Sequence, residues 1–221
     1  MINCWLTPVL QLKALKSAAR SFKTGGMTPF NDTSSLLAFL KSRKSASAKS
    51  MKGPGPDSAQ LAEMLQLAVR VPDHGKLAPW RFVVFADSAR MAIGEKFKTR
   101  WQHLHPDHGP ESLDFQAELF VRAPMVVAVV STAAQHAKIP VWEQQLSAAA
   151  VSFNLVISAQ AFGFDAQWQT DWVAYDAVAK LAMGIAVDEL VAGLVYIGKS
   201  AVPLEDRPRP DAAALTTMWS A

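Results

Sequence analysis

Apolar residues recur along the chain with two different periods, and the switches between them predict the elements. Leu36, Leu37, Phe39 and Leu40 make a short helical patch that Ser34 or Ser35 can cap and that ends at Arg43. Ser58–Val69, opened by Asp57 or Ser58, has a helical pattern, as do Ser88–Trp101 and Glu111–Val121. Phe82–Ala86 reads as a buried strand. Met125–Val130 is apolar at every position, as expected of a strand covered on both faces. Val141 to Phe162 reads as one long helix with Gly163 as its stop. Its small residues Ala148, Ala149, Ala150, Ser152, Ser158 and Ala159 suit either a monomer's core or a subunit interface that resembles a core cut in half. A helix near Val173–Met183 and a strand over Ala192–Gly198 follow. Lys49–Pro56 reads as flexible, and the charged, proline-rich tail has little basis for folding alone.

The junction Arg70–Arg81 stops one helix, turns and launches a strand. Pro72 and Pro79 fix the backbone, Gly75 lets it turn, and Arg70, His74, Lys76 and Arg81 bring donors together. Such a loop can hold an anionic, planar ligand, or it is a rigid turn with solvated charges.

Composition narrows the class. With 221 residues, half of them hydrophobic and 19% charged, the chain fits a single globular domain with an extensive core. Lys13, Lys16, Arg20 and Lys23 precede the first acidic residue, Asp32, and removing those four from the formal +3 leaves −1. A near-neutral body argues against a nucleic-acid partner, which needs a basic face. Cys4, the single cysteine, cannot form an internal disulfide, so a reducing, cytoplasmic setting is expected. The uncharged run Gln144–Phe164 carries too many amides and hydroxyls to read as a membrane span. Residues 1–33 are expected to be a flexible extension and 34–221 one domain. The first 30 residues lack the apolar core and cleavage site of a secretory signal; their spacing suits an amphipathic targeting helix, and Met27 is a second candidate start.

Arg43-Lys44-Ser45-Ala46-Ser47 sets two cations before two hydroxyls, a pattern that binds phosphate or merely caps a helix. Ala166–Asp171 sets Trp168 beside Gln169 and Thr170 just after the long helix. His103, His105 and His108 invite a metal, but positions two apart share no helical face and Pro106 intervenes, so no metal site is expected.

Taken in order, Arg43–Ser47, Arg70–His74 with Pro79–Phe82, Pro140–Gln144 with its long helix, Phe162–Phe164 before Trp168, and Leu194–Gly198 resemble the nitroreductase family of flavoproteins, in particular its YdjA-like branch. The resemblance covers most of Leu36–Gly198. It implies an α+β fold with a mixed, largely antiparallel central sheet flanked by helices, and a homodimer with FMN at the interface. It further implies that Arg43, Lys44 and Ser45 hold the FMN phosphate or adjoining atoms. Arg70 and His74 would contact flavin across the dimer, and Trp168, Gln169 and Thr170 would form a third flavin segment. The helix end, about Ser158 to Gly163, corresponds to nicotinamide-cofactor binding. Ser47 stands where the family commonly has a cation, with Lys49 as a candidate substitute. Gln169 and Asp171 depart from the arginine and glycine the branch can have there. Lys199, Arg207 and Arg209 could reach a phosphate.

The activity so implied is that of an NAD(P)H oxidoreductase. NADH or NADPH reduces FMN and leaves, and a small-molecule acceptor such as a nitroaromatic or quinone takes its place in a ping-pong cycle. The cofactor carries the hydride chemistry, so no catalytic side chain is required. Arg70 or Lys76 is the candidate to stabilise negative charge on reduced flavin, and His74 to hydrogen bond it. A flavin-binding or redox-sensing protein with little turnover is the alternative.

Overall fold

The computed structural model describes residues 30–220. Its centre is β3 (Met125–Ser131), buried at every position. Alternate residues along a strand point to opposite faces, and both faces of β3 are covered. Val126, Ala128 and Val130 pack with Phe85, Phe97, Phe120 and Tyr196 on one face; Met125, Val127 and Val129 pack with Val151, Leu155 and Ala159 on the other. Double coverage explains why this strand shows no polar alternation.

Around β3 run β2 (Trp80–Ala86) and β5 (Leu190–Ser200), both antiparallel to it, with Trp80 opposite Ser131 and Met125 opposite Ile197. β4 (Asp165–Gln169) pairs antiparallel with β5, and the two-residue β1 (Met51–Lys52) meets the end of β5 at Ser200 and Lys199. All pairings among the described residues are antiparallel.

Helices α1 (Leu36–Ser42), α2 (Ser58–Ala68), α3 (Asp87–Leu104), α4 (Pro110–Ala117), α5 (Val141–Ala161) and α6 (Ala177–Ala182) flank the sheet. Phe120, in the turn after α4, is the hub of the aromatic face, edge-on to Phe85 and Phe97 at 5.0 Å and to Tyr196 at 6.0 Å. α2 and α5 cover the other face. Asp57 and Gln60 close a reciprocal capping box at the start of α2 (2.8 and 3.0 Å), which settles the choice between Asp57 and Ser58. α5 ends in paired bonds from Gly163 N to Gln160 O (2.9 Å) and Phe164 N to Ala159 O (3.0 Å), the terminator that Gly163 foreshadows.

Four local readings need correction. Phe82–Ala86 lies in an edge strand in which only Phe85 is buried, rather than in a buried one. The segment around Val173–Met183 is divided into a 3-10 turn, Trp172–Ala174, and α6, because Asp176 caps a new helix by accepting from Ala179 N at 2.8 Å. Glu111–Val121 is helical only to Ala117. Lys49–Pro56 contains β1 and buries Met51 and Pro56. Of the expected extension, residues 1–29, with Cys4 and the four basic residues, lie outside the described residues.

Candidate functional site

The polar junction after α2 is tied to α5 residue by residue. Asn154 Nδ2 donates to the carbonyls of Leu67, in the last turn of α2, and Arg70 at 2.9 and 3.4 Å, and Ser147 Oγ donates to that of Pro72 at 3.0 Å. Inside the loop the Asp73 carboxylate accepts from Leu77 N and Ala78 N at 3.2 and 2.8 Å. Those bonds support strain: Lys76 and Ala78 both have positive φ, 56° and 47°. Gly75 is favoured by its φ of 74°, and a methyl group there would also displace the end of the Ile139 side chain. Strained backbone held by several independent bonds is characteristic of ligand clamps.

His74 Nδ1 lies 2.7 Å from Glu143 Oε2 in the first turn of α5. The pair lines a cleft of about 350 Å³ with Pro72, Leu146, Ser147 and Ala150. Arg70 and Lys76 are exposed and make no side-chain ion pair among the described residues. Arg81 is different: its guanidinium grips Glu189 (Nε to Oε1, 2.7 Å) and the Gly184 carbonyl (2.8 Å). It is structural, and leaves the loop's donor set.

The first motif hangs from the other end of α5. Lys44 N donates to Asn31 Oδ1 at 2.9 Å, and the Lys44 carbonyl accepts from Gln160 Nε2 at 2.7 Å. With its backbone pinned on both sides, the segment offers side chains to a ligand. The Arg43 guanidinium lies 5.6 Å over the Phe153 ring, with Nη1 3.4 Å from Ser45 Oγ. Burial, and then the charges of Arg209 and Arg207, push the Arg43 pKa down. Asp206 is held below the ordinary carboxylate value by the Arg207 amide first, then by a hydrogen bond from Arg209 at 3.0 Å and the more distant charge of Lys44. The tail thus brings Arg207 and Arg209 within electrostatic reach of Arg43, and Asp206, paired with Arg209 at 3.0 Å, within reach of Lys44. Lys49 does not substitute for the cation absent at Ser47. Its ammonium lies 5.2 Å from the Phe115 ring of α4, across the sheet from α5.

The third segment follows β4. Trp168 Nε1 donates to the Ala192 carbonyl at 3.1 Å, and the indole lies across Gly193, where any Cβ would overlap it. Thr170 Oγ1 accepts from Tyr175 Oη at 3.1 Å. Beside Gln169, the Tyr196 hydroxyl is sealed without a hydrogen-bond partner, and burial pushes its pKa up to about 12. Gln167 Oε1 accepts from Ala48 N at 2.6 Å, which joins β4 to the Arg43–Ser47 segment.

The first and third segments are therefore held together through their immediate neighbours, Ala48 and Gln167. The loop is not linked to them: it binds α5 through Asn154, whereas Trp168 and Ser152 both flank Gly193, and residues two apart on a helix point about 200° away from each other. In the stretch from Ser158 to Gly163, Ser158 Oγ donates back to the Asn154 carbonyl (2.8 Å). Gln160 and Gly163 line a cleft of about 430 Å³ with Phe30 and Asp165. The His105 and His108 rings stack at 4.7 Å, and Trp101 lies tilted against His105 at 4.0 Å. Among the described residues no group of three or more His, Cys, Asp or Glu is placed to hold a metal, and no helix is long and apolar enough to cross a membrane.

An antiparallel sheet clasped by helices, with the strained loop against one part of the long helix and the Arg43–Ser45 segment against another, defines an α+β protein. The chain belongs to the nitroreductase family, whose model matches residues 40–199. It is 37% identical over 164 residues to a Haemophilus influenzae protein provisionally named NAD(P)H nitroreductase, covering 73% of this chain and 86% of that one. Identity to the provisionally named NAD(P)H nitroreductase YdjA of Escherichia coli K12 is 28%, with the same coverage. The fold matches the crystal structure of a nitroreductase-like protein from Bacillus cereus, with a TM-score of 0.70 and 17% identity over 85% of this chain and 97% of that one. It also matches a nitroreductase with bound FMN from Bacteroides fragilis, with a TM-score of 0.61 and 17% identity over 83% and 98%.

Proposed function

We propose that residues 34–221 form one FMN-binding domain, and that the protein is a cytoplasmic, homodimeric NAD(P)H oxidoreductase of nitroreductase type acting on nitro or quinone-like acceptors. The observation that carries this reading is the pinned Arg43–Ser45 segment, with the Arg43 guanidinium beside Ser45 Oγ and the charges of Arg207 and Arg209 within reach of it. Clustered like charges repel, and a phosphate dianion at Arg43 and Ser45 removes that cost while accepting charge-assisted hydrogen bonds. The residues present thus fit the phosphate of FMN. Trp168 offers an apolar wall, Gln169 and Thr170 polar atoms at its edge, and Arg70 and His74 the donors of the loop.

Bound FMN would supply the ring that accepts hydride from NAD(P)H and passes it to the acceptor. The chain's own contribution is positioning and charge: Arg70 or Lys76 stabilises negative charge arriving near the loop, and the pinned backbone of Lys44 keeps the phosphate end fixed.

A second copy completes the site on this reading. The loop lies on the opposite side of α5 from Trp168, so one protomer's loop completes the other's cationic half. Exposed apolar side chains on α1, α5 and the tail, including Leu36 at 75%, Trp142 at 66% and Trp219 at 86%, supply the contact surface. Size-exclusion chromatography with light scattering, combined with flavin quantification, tests this reading. A dimer carrying about one FMN per protomer is expected, and Arg43→Ala should weaken FMN binding by roughly 10- to 100-fold, as expected for loss of a charge-assisted bond. A monomer that neither carries nor takes up FMN would refute it.

A further inference from the structure

We propose that Glu143 is a positioning residue for the flavin site: it fixes the ring of His74 so that Nε2 is the nitrogen presented to the cofactor. This rests on the reading that His74 faces FMN.

The Glu143 carboxylate can only accept, so at 2.7 Å the proton lies on His74 Nδ1. Nε2 is then the nitrogen left over; it has no hydrogen-bond partner among the described residues, and the side chain is 64% exposed. Without Glu143 the ring could flip or change tautomer and offer either nitrogen.

Two plainer roles account for less. Glu143 is not needed to hold the loop backbone, because Asp73, Ser147 and Asn154 each bind it independently. Nor is the pair an important source of folding stability: with Glu143 45% exposed, an ion pair of this kind contributes little. Glu143 also sits in the first turn of α5, where an acidic side chain favours the helix. That role would make Glu143→Gln slightly less stable, but it would not couple Glu143 to His74 in ligand binding.

The test is a double-mutant cycle on FMN affinity, measured by quenching of flavin fluorescence on titration into apoprotein, with His74→Ala, Glu143→Ala and the double variant. Each single variant should weaken binding roughly tenfold, the double variant no more than either single one, and Glu143→Asp should recover most of the loss. Nitrogen-15 chemical shifts of the His74 imidazole in the apoprotein should report the Nδ1-protonated form in the wild type and a tautomer mixture in Glu143→Ala. If the wild type binds FMN but Glu143→Ala binds it equally well, or the two losses simply add, the positioning role is wrong while the proposed function stands. A wild-type protein that binds no FMN overturns both.

Discussion

Gln160 Nε2 donates to the carbonyl of Lys44 over 2.7 Å, so a fully buried amide on α5 fixes the segment that carries Arg43 and Ser45. Its Oε1 is buried without a partner. Gln160→Leu would strand the Lys44 carbonyl but also remove that orphan acceptor, and the two effects partly offset. The expected loss is about 1 kcal/mol in urea denaturation, with weaker FMN binding as the first motif loosens.

Trp168 depends on Gly193 having no side chain. In Gly193→Ala the new methyl overlaps the indole and lies 3.0 Å from Ser152 Oγ, so Trp168 must move and give up its bond to the Ala192 carbonyl. Overpacking of this kind costs about 1–3 kcal/mol. Near-ultraviolet circular dichroism should show an altered indole environment, and flavin affinity should fall.

Asp73 holds two amides on a strained turn. Asp73→Ala frees Leu77 N and Ala78 N while Lys76 and Ala78 remain at positive φ, so the loop should relax. We expect about 1–3 kcal/mol of lost stability. Faster hydrogen exchange should be confined to the loop, and Arg70 and His74 should lose their contribution to cofactor binding.

Asp176 links acid stability to one ion pair. Its carboxyl is held below its ordinary 3.8 by hydrogen bonds from Arg100, aided by the Ala179 amide and opposed by burial. A depressed folded-state pKa stabilises the fold above the unfolded value, and the contribution is lost as pH falls through the folded one. Denaturation of the wild type against Asp176→Asn should therefore show a stability gap that is constant above about pH 5 and shrinks below 3.8.

The elements with one dominant period were readable without coordinates. β3 is apolar from Met125 to Val130 because both faces are covered, and α5 buries Gln144, Ala148, Val151, Leu155 and Ala159 at three- and four-residue spacing. β4 escaped because its polar residues satisfy other segments: Gln167 serves Ala48 N, and Asp165 Oδ2 accepts from Ser200 N at 2.8 Å. Those bonds defeat a reading by alternation. In the site, the prolines and glycine of the loop announced it, but its supports did not. Glu143 stands 69 positions from His74 and Gln160 stands 116 from Lys44, separations at which only the packing of α5 creates the pairing. Arg207 and Arg209 were visible as charges, yet their convergence on Arg43 depends on the path of a tail without regular structure up to Ala212.

The most direct measurement is the visible spectrum of the purified protein, loaded with FMN, before and after addition of NADH or NADPH under anaerobic conditions, and again after a quinone or nitroaromatic. The account predicts a bound-flavin absorption band that bleaches with at least one nicotinamide and returns with the acceptor. A flavin band that neither nicotinamide bleaches would contradict the proposed oxidoreductase, and a protein that takes up no flavin would contradict the assignment of the Arg43, Arg207 and Arg209 cluster as its phosphate site.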